Sequence, residues 1–201
     1  MMMFRTRSRQ KTKLEHGDSP RAFTLIETMV AVSLLMLSIV APMSLAAQAL
    51  FAAYYARDQI TAFYLAQEGI EVVRSVRDGN ILKIAEGSSG VNIFDGIPST
   101  TGAPFTVNAL VDASQALQLC PSGGTAPLYN CPPLQTNGQA FGYNSGWTNT
   151  QFTRVVTAKL INSNTDELRV SVTIIWQEGS QQRTFSIYED LYRWVNNQPG
   201  S

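Results

Sequence analysis

The sequence predicts an α+β protein in which one long N-terminal helix packs on a small antiparallel β-sheet. Three observations support this fold class. Residues 28–56 carry no ionisable group other than two tyrosines. Apolar residues then recur at helical spacing up to about Asp78, and three strand-like segments follow in the last third of the chain. The 201 residues fit one domain with an appendage.

Residues 1–22 form a basic leader with six basic and two acidic side chains, hence a net charge of +4. Because the whole chain is neutral, the remaining residues carry −4. Positively charged flanks are retained on the cytoplasmic side of a membrane, so we expect the leader there. The acidic remainder has no basic stripe for phosphate groups, and nucleic acid is not an expected partner.

The uncharged run of residues 28–56 exceeds the roughly 20 residues that cross a bilayer as a helix. We therefore expect an apolar transmembrane half of a long helix over residues 23–56 and an amphipathic half over residues 57–80. Pro42 lacks a backbone donor and predicts a kink or local loosening within the apolar half.

The amphipathic half is expected to bury one stripe against the rest of the domain. The stripe comprises Ile60, Phe63, Ala66, Ile70 and Val73. Arg74 and Asp78 have the spacing of an intrahelical ion pair. Gly79-Asn80 is the predicted end of the helix.

The head, residues 81–201, is predicted to contain a β-sheet. Residues 105–111 alternate as a short strand, whereas residues 81–104 and 137–150 are rich in loop-forming residues. Residues 152–161 are rich in β-branched side chains, which favour a strand.

Two further strands are predicted on either side of a turn at Glu178-Gly179. One strand contains Phe185 and Ile187. The other places alternate residues on one face: Leu168, Val170, Val172, Ile174 and Trp176. Together with residues 152–161 they predict an antiparallel meander whose apolar face is covered by the amphipathic helix half.

Cys120 and Cys131 flank a Pro/Gly-rich segment that can bend back on itself. A local disulfide would close a loop of about 12 residues and stabilise the fold by about 3 kcal/mol, provided the head reaches an oxidising compartment. Two free thiols in a reducing cell are the alternative. A metal site is not expected because the spacing is not CxxC and no histidine lies near, and we expect no cofactor.

An enzyme is not expected. The single histidine, His16, lies in the leader, which argues against Ser-His-Asp and Cys-His catalysis. Glu189 and Asp190 are adjacent, as are Asp166 and Glu167. Neighbouring residues of a strand point to opposite faces, so neither pair can act jointly as acid and base.

Glu27 is the unusual residue of the apolar segment. An unpaired acidic group at a bilayer centre costs about 2.5–3.5 kcal/mol, and less near the interface. If the chain were cut before Phe23, the new amine would carry a positive charge next to Glu27 of another copy. The pattern therefore favours side-by-side packing of helices.

The residues Arg21-Ala22-Phe23-Thr24-Leu25-Ile26-Glu27, between a short basic leader and an uncharged run, resemble the prepilin cleavage and methylation motif of type IV pilins and type II secretion pseudopilins. The resemblance implies that a prepilin peptidase cuts between Ala22 and Phe23 and methylates the Phe23 amine. It also implies that Glu27 guides assembly and that Pro42 corresponds to a helix proline at which the family melts locally. Ala22 replaces the usual glycine.

Within this family, residues 66–77 and the strand containing Trp176 resemble PilV-type minor pilins and pseudopilin I. The resemblance implies a variable connecting region, a three- or four-stranded sheet and a disulfide-bounded loop. It implies a structural, minor subunit of a pilus or pseudopilus. Its partners would be the prepilin peptidase, other pilin or pseudopilin subunits, the inner-membrane assembly machinery and, before assembly, membrane lipid.

The implied location is the inner membrane, as a single-pass precursor with a cytoplasmic leader, and then an extracytoplasmic filament or the cell surface. Two alternatives remain. A secreted protein could be cut after Ala47-Gln48-Ala49, although its apolar core would exceed the usual 7 to 15 residues and leave Glu27 unexplained. An anchored or secreted adhesive or ligand-binding protein that does not polymerise is the other.

Overall fold

The computed structural model describes residues 22–98, 102–126, 129–161 and 166–194. The leader, apart from Ala22, lies outside the described residues, as does His16. The chain divides into two compact units, Met1–Leu50 and Phe51–Ser201. The predicted α+β class is confirmed, since one long apolar helix is followed by an antiparallel sheet.

Helix α1 spans Leu25–Ala85 and therefore continues past the predicted end at Gly79-Asn80. The helix ends where Gly87 adopts a left-handed φ of +89°. The N–H groups of Gly87 and Ser88 donate to carbonyl groups of the last turn at 3.0 Å, the pattern of a Schellman cap.

The extra turns of α1 are held by long-range contacts. The buried Asn80 side chain donates to the carbonyl groups of Ile93 and Asp95, at 3.3 and 2.8 Å. Ile84 is buried in the main core one turn later. The prediction of the helix end was wrong because these contacts favour helix where local sequence favours a stop.

The sheet has seven strands, more than the three or four that the family resemblance implies. They are β1 (Phe105–Val107), β2 (Leu117–Leu119), β3 (Pro133–Thr136), β4 (Phe141–Gly142), β5 (Thr148–Leu160), β6 (Glu167–Glu178) and β7 (Gln181–Tyr192). The hydrogen-bonded order is β2-β1-β5-β3-β4, and β6 pairs with β5 and β7.

The predicted meander is confirmed as β5, β6 and β7, which pair antiparallel in sequence order. Val172 of β6 lies opposite Val156 of β5 and Ile187 of β7. The strand predicted over residues 105–111 ends at Val107, because the Asn108 side chain accepts from the Leu110 N–H at 3.2 Å and turns the chain.

Strands β2, β3 and β4 were not predicted. They have three, four and two residues, too few for a period of two to be visible in sequence. Pro133 and Gly142 also argue locally against strands. The segments are extended because they pair with β1, with β5 and with each other.

The helix and the sheet share one core within the Phe51–Ser201 unit. The inward residues of β6, Leu168 to Trp176 in alternation, are buried as predicted. The buried stripe of α1 is partly different from the prediction: Ile60 and Phe63 are 56% and 40% exposed. The stripe consists of Ala62, Leu65, Ala66, Gly69, Ile70, Val73, Val76, Asn80 and Ile84.

Gly69 marks the closest approach of α1 to the sheet. A Cβ atom built at this glycine would lie 3.0 Å from a Val172 methyl carbon and 3.3 Å from Arg154 Cδ. Both neighbours are fully buried and cannot retreat into solvent. Small residues in the stripe therefore set the distance between helix and sheet.

Arg154 of β5 is fully buried and joins three elements. Its Nη1 atom donates to the Leu65 carbonyl at 3.0 Å and to Glu68 Oε2 at 2.6 Å, both on α1. Its Nη2 atom donates to the Val107 carbonyl of β1 at 2.6 Å. These acceptors replace water around the Nη1 and Nη2 atoms, whereas the buried Nε atom has no hydrogen-bond partner.

The predicted disulfide joins Cys120 and Cys131. Its loop covers part of the sheet face opposite α1, where Cys131 packs with Val155 and Ile175 in a second, smaller apolar cluster. The cross-link therefore closes a loop and also shields two sheet residues from solvent.

The predicted ion pair between Arg74 and Asp78 is wrong. Arg74 instead binds Glu71 on α1 and both carboxylate oxygens of Glu189 on β7, at 2.6 and 2.7 Å. Asp78 pairs with Arg77. Packing against β7 offers Arg74 a bidentate partner, which an exposed intrahelical aspartate cannot match.

We predict that Arg154→Met lowers the free energy of unfolding by about 3 kcal/mol or more, because two buried carbonyl groups and the half-buried Glu68 carboxylate lose their donor. Denaturant unfolding of the detergent-solubilised chain, followed by tryptophan fluorescence, measures the change. Arg57→Ala, which removes an exposed arginine side chain, is the control and should stay within about 0.5 kcal/mol. Equal effects of the two substitutions would contradict this account of Arg154.

We predict opposite effects for the same substitution at two helical glycines. Gly69→Ala should lower the free energy of unfolding by up to about 2 kcal/mol, since overpacking outweighs helix propensity. Gly79→Ala should raise it by about 0.5–1 kcal/mol, since a Cβ atom there meets nothing within 4 Å. Denaturant unfolding measures both changes. A Gly69→Ala variant that is more stable than the original chain would refute the close approach of α1 to the sheet at Gly69.

Candidate functional site

The described residues of the Met1–Leu50 unit present a long exposed apolar surface. Every described residue up to Leu50 is exposed, including the large apolar side chains of α1. The apolar part of α1 reaches a mean hydropathy of 2.2 over 18 residues, and the helix is long and apolar enough to cross a membrane. A contiguous exposed apolar surface of this size marks a site of interaction with a membrane or another protein.

The hydroxyl groups of this segment are satisfied within the helix. Each donates to a carbonyl oxygen three or four residues earlier, at 2.8–2.9 Å. The donors are Thr28, Ser33, Ser38 and Ser44. Because the hydroxyls need no water, they do not oppose transfer of the segment into an apolar environment.

Thr24 caps the N-terminus of α1. Its Oγ1 atom accepts from the Glu27 N–H at 3.3 Å, and its carbonyl accepts from the N–H groups of Glu27 and Thr28. Glu27 is therefore the third residue of the helix, and Thr24-Leu25-Ile26-Glu27 has the sequence of a capping box. A carboxylate at this position also favours the positive end of the helix dipole.

The cap formed by Thr24 was not predicted, although the T-x-x-E pattern indicates it. The Glu27 carboxylate lies on the exposed first turn and is sterically accessible.

The Ala22–Phe23 bond lies just outside the helix. Both residues have no regular secondary structure, and Phe23 is 77% exposed. The bond is not enclosed by helical hydrogen bonds, so its cleavage does not require α1 to unfold. Arg21, which completes the motif, lies outside the described residues.

Pro42 lies inside α1, which continues through it. Its ring nitrogen carries no hydrogen, so the Ser38 carbonyl has no donor one turn later. Pro42 therefore removes one backbone hydrogen bond from the apolar segment.

A groove of about 550 Å³ lies in the Phe51–Ser201 unit between α1 and β7. It is lined by Tyr64, Glu68, Glu71, Arg74 and Glu189, among others. The hydrogen bond from Arg74 to Glu189 raises the pKa of the guanidinium, and the groove's arginine is already engaged by carboxylates. Within the described residues no group of three or more His, Cys, Asp or Glu side chains is placed to hold a metal.

The adjacent acidic residues of β7 point to opposite faces, as the strand period requires. Glu189 binds Arg74 of α1, whereas Asp190 binds Arg169 of β6. Glu189 and Asp190 thus take part in two separate ion pairs.

Comparison of the chain with protein-family models, with curated proteins and with solved structures finds no match.

Proposed function

We propose that the protein is a structural, minor subunit of a type IV pilus or a type II secretion pseudopilus. The observation that carries the proposal is the combination of residues 21–27 with the exposed apolar helix that follows them. The motif supplies a cleavable bond and an acidic residue one turn into the helix. The helix supplies an apolar surface that a lone soluble protein could not leave uncovered.

In this proposal the segment Leu25–Leu50 lies in lipid before assembly and against the helices of other subunits afterwards. Prepilin peptidase removes the basic leader by cutting before Phe23 and methylates the new amine. The amine of one subunit then neutralises Glu27 of its neighbour, so the acidic group favours a paired helix over a solitary one. The inner-membrane assembly machinery would draw the subunit out of the membrane.

Pro42 is proposed to ease this transfer. A helix with one missing backbone bond can bend or open locally at lower cost when it moves from lipid into a bundle. The head would then lie outside the cytoplasm, and the disulfide between Cys120 and Cys131 is in keeping with an oxidising compartment. The extended connections of the head favour a specialised subunit over the main one.

We predict that the protein from native membranes or from sheared surface filaments begins at an N-methylated Phe23. Intact-mass and N-terminal peptide mass spectrometry measure this directly. A terminus near Leu50 would instead identify a secreted protein, and an intact leader would identify a lone membrane anchor. Either result would contradict the proposal.

We further predict that Glu27→Gln leaves the protein processed and membrane-bound but reduces its incorporation into sheared filaments at least about tenfold. Glutamine also serves in a capping box, so this variant removes the charge while it keeps the cap. Thr24→Ala is the matched control, because it removes the cap and keeps the charge. It should cost about 1 kcal/mol of helix stability and retain incorporation.

Immunoblotting of membrane and sheared fractions distinguishes charge pairing by Glu27 from helix capping by Thr24. Undiminished incorporation of Glu27→Gln would refute pairing with a neighbour's amine. Loss of incorporation in Thr24→Ala alone would assign the effect to the helix cap.

A further inference from the structure

Strand β7 lies at an edge of the sheet, and the side of the strand away from β6 is open. Among the described residues β7 pairs with β6 alone, in an unbroken register from Glu178 opposite Gln181 to Glu167 opposite Tyr192. Every second residue of an edge strand directs its N–H and C=O groups away from the neighbouring strand. No other described residue forms a hydrogen bond with these groups of β7. The strand therefore presents a row of unpaired backbone groups, here called the free edge of β7.

The free edge lacks the features that usually protect an edge strand from pairing. Protected edges are short, bulged, or interrupted by proline or lysine. Residues 181–192 contain no proline, glycine or lysine, and no bulge interrupts their register with β6. Each charged side chain of the strand is neutralised by an ion pair within the head, so these charges do not repel an incoming strand. The pairs are Arg183 with Glu178, Glu189 with Arg74, and Asp190 with Arg169.

A groove follows this strand between β7 and α1. One part is the groove of about 550 Å³ that Tyr64 and Ile187 line. A second part of about 450 Å³ is lined by Tyr64 and Phe185, so the two parts meet at the tyrosine. On α1 the lining extends from Ala56 to Arg74, which is about 27 Å of helix. An extended chain of about eight residues has the same length.

The floor of the groove is largely apolar and incompletely covered. The β7 residues in its lining, Phe185, Ile187 and Glu189, are only half-buried. The ring centroids of Phe185 and Phe63 lie 5.9 Å apart, and Ile60 is exposed beside them. Side chains of paired strands lie next to each other on the same face of a sheet. A strand added to β7 would therefore place every second side chain over this floor.

The end of the groove at Arg74 has an excess of negative charge. Arg74 binds both Glu71 and Glu189, so one guanidinium serves two carboxylates. Glu68, which also lines the groove, is already paired with the buried Arg154. The Glu71 side chain is 66% exposed and accessible to a cation from outside. A chain that complements this end carries lysine or arginine there.

We propose that the free edge of β7 and the adjoining groove bind an extended segment of a partner protein, which adds a strand to the sheet. The backbone of the segment pairs with β7, its alternate apolar side chains cover the groove floor, and a basic side chain meets Glu71. Antiparallel pairing is the more stable arrangement and places the basic residue near the N-terminus of the segment. The inference concerns the head alone and does not depend on cleavage before Phe23 or on filament assembly.

A second copy of the chain is a less suitable occupant. The other strands at the ends of the sheet order, β2 and β4, have three and two residues and cannot pair along an edge of twelve. A second copy would therefore have to supply its own β7. Such a pair would be detected as self-association of the chain.

The probe is a fluorescein-labelled octapeptide, Lys-Thr-Val-Thr-Val-Thr-Val-Thr, whose lysine and valines share one face of a strand. Fluorescence anisotropy with the full chain in detergent measures binding, and micelles without protein are the blank. We expect saturable binding. Glutamate in place of the peptide lysine should weaken it about fivefold, and the Glu71→Gln variant should reduce that difference.

N-methylation of the peptide tests backbone pairing on the unaltered chain. In a paired strand, the N–H groups of alternate residues point to the partner strand and those between them point away. One peptide carries N-methyl groups on its valines and another on its threonines. One of the two should bind at least about tenfold more weakly than the octapeptide, and the other should retain binding. Equal binding of the two peptides would overturn strand addition.

Two adjacent substitutions on β7 test the groove. Ile187→Lys places a charge on the groove floor and should weaken binding of the octapeptide at least about tenfold. Tyr188→Lys is the matched control, because it places the same charge on the exposed opposite face, and binding should stay within about twofold. Circular dichroism checks that each variant is folded. Equal losses in the two variants would overturn the proposal, as would no binding of the octapeptide. Dimers of the chain that the octapeptide dissociates in analytical ultracentrifugation would also overturn it and assign the edge to a second copy.

Discussion

The buried guanidinium of Arg154 is the interaction on which the geometry of the head depends. A charge in the core is stable only when acceptors replace the water around it, and here Nη1 and Nη2 donate to acceptors on α1 and β1. Glu68 has to lie above β5, and the Leu65 carbonyl has to face the sheet. The helix is thereby fixed in rotation and in position along its axis. Apolar packing alone is non-directional and would tolerate a slip of the helix.

Because Arg154 fixes the position of α1 on the sheet, the two can pack closely at one point. Gly69 lies against Val172 and against the stem of Arg154, so the helix approaches the sheet where a larger residue would be excluded. On the other face, the Cys120–Cys131 loop packs on Val155 and Ile175. The face toward α1 is largely buried along β5 and β6 but only half-buried along β7, at Phe185, Ile187 and Glu189. The outer face of β7 carries the exposed side chains of Tyr188 and Tyr192.

The N-terminal part of α1 differs in the exposure of its apolar side chains from the part that packs on the sheet. Its apolar side chains are exposed, while its hydroxyl groups are satisfied by helix carbonyls. Charge is confined to Glu27, in the first turn, where Thr24 also caps the helix. A carboxylate is favoured there by the helix dipole and disfavoured by lipid. The proposed filament resolves this conflict by supplying a positive partner, without loss of the cap.

Local sequence was sufficient to predict the existence of α1, the β5–β6–β7 meander and the disulfide. Residues close together in sequence determine these elements: a long apolar run with a clear period predicts a helix or a strand, and two cysteines joined by a flexible segment can reach each other. Tertiary structure alone decided the end of α1, the partner of Arg74, the extended state of β2, β3 and β4, and the buried position of Arg154. Each depends on groups distant in sequence, such as Ile93 for Asn80 and Glu189 for Arg74. A local pattern cannot indicate a partner that only the folded chain brings within hydrogen-bond distance.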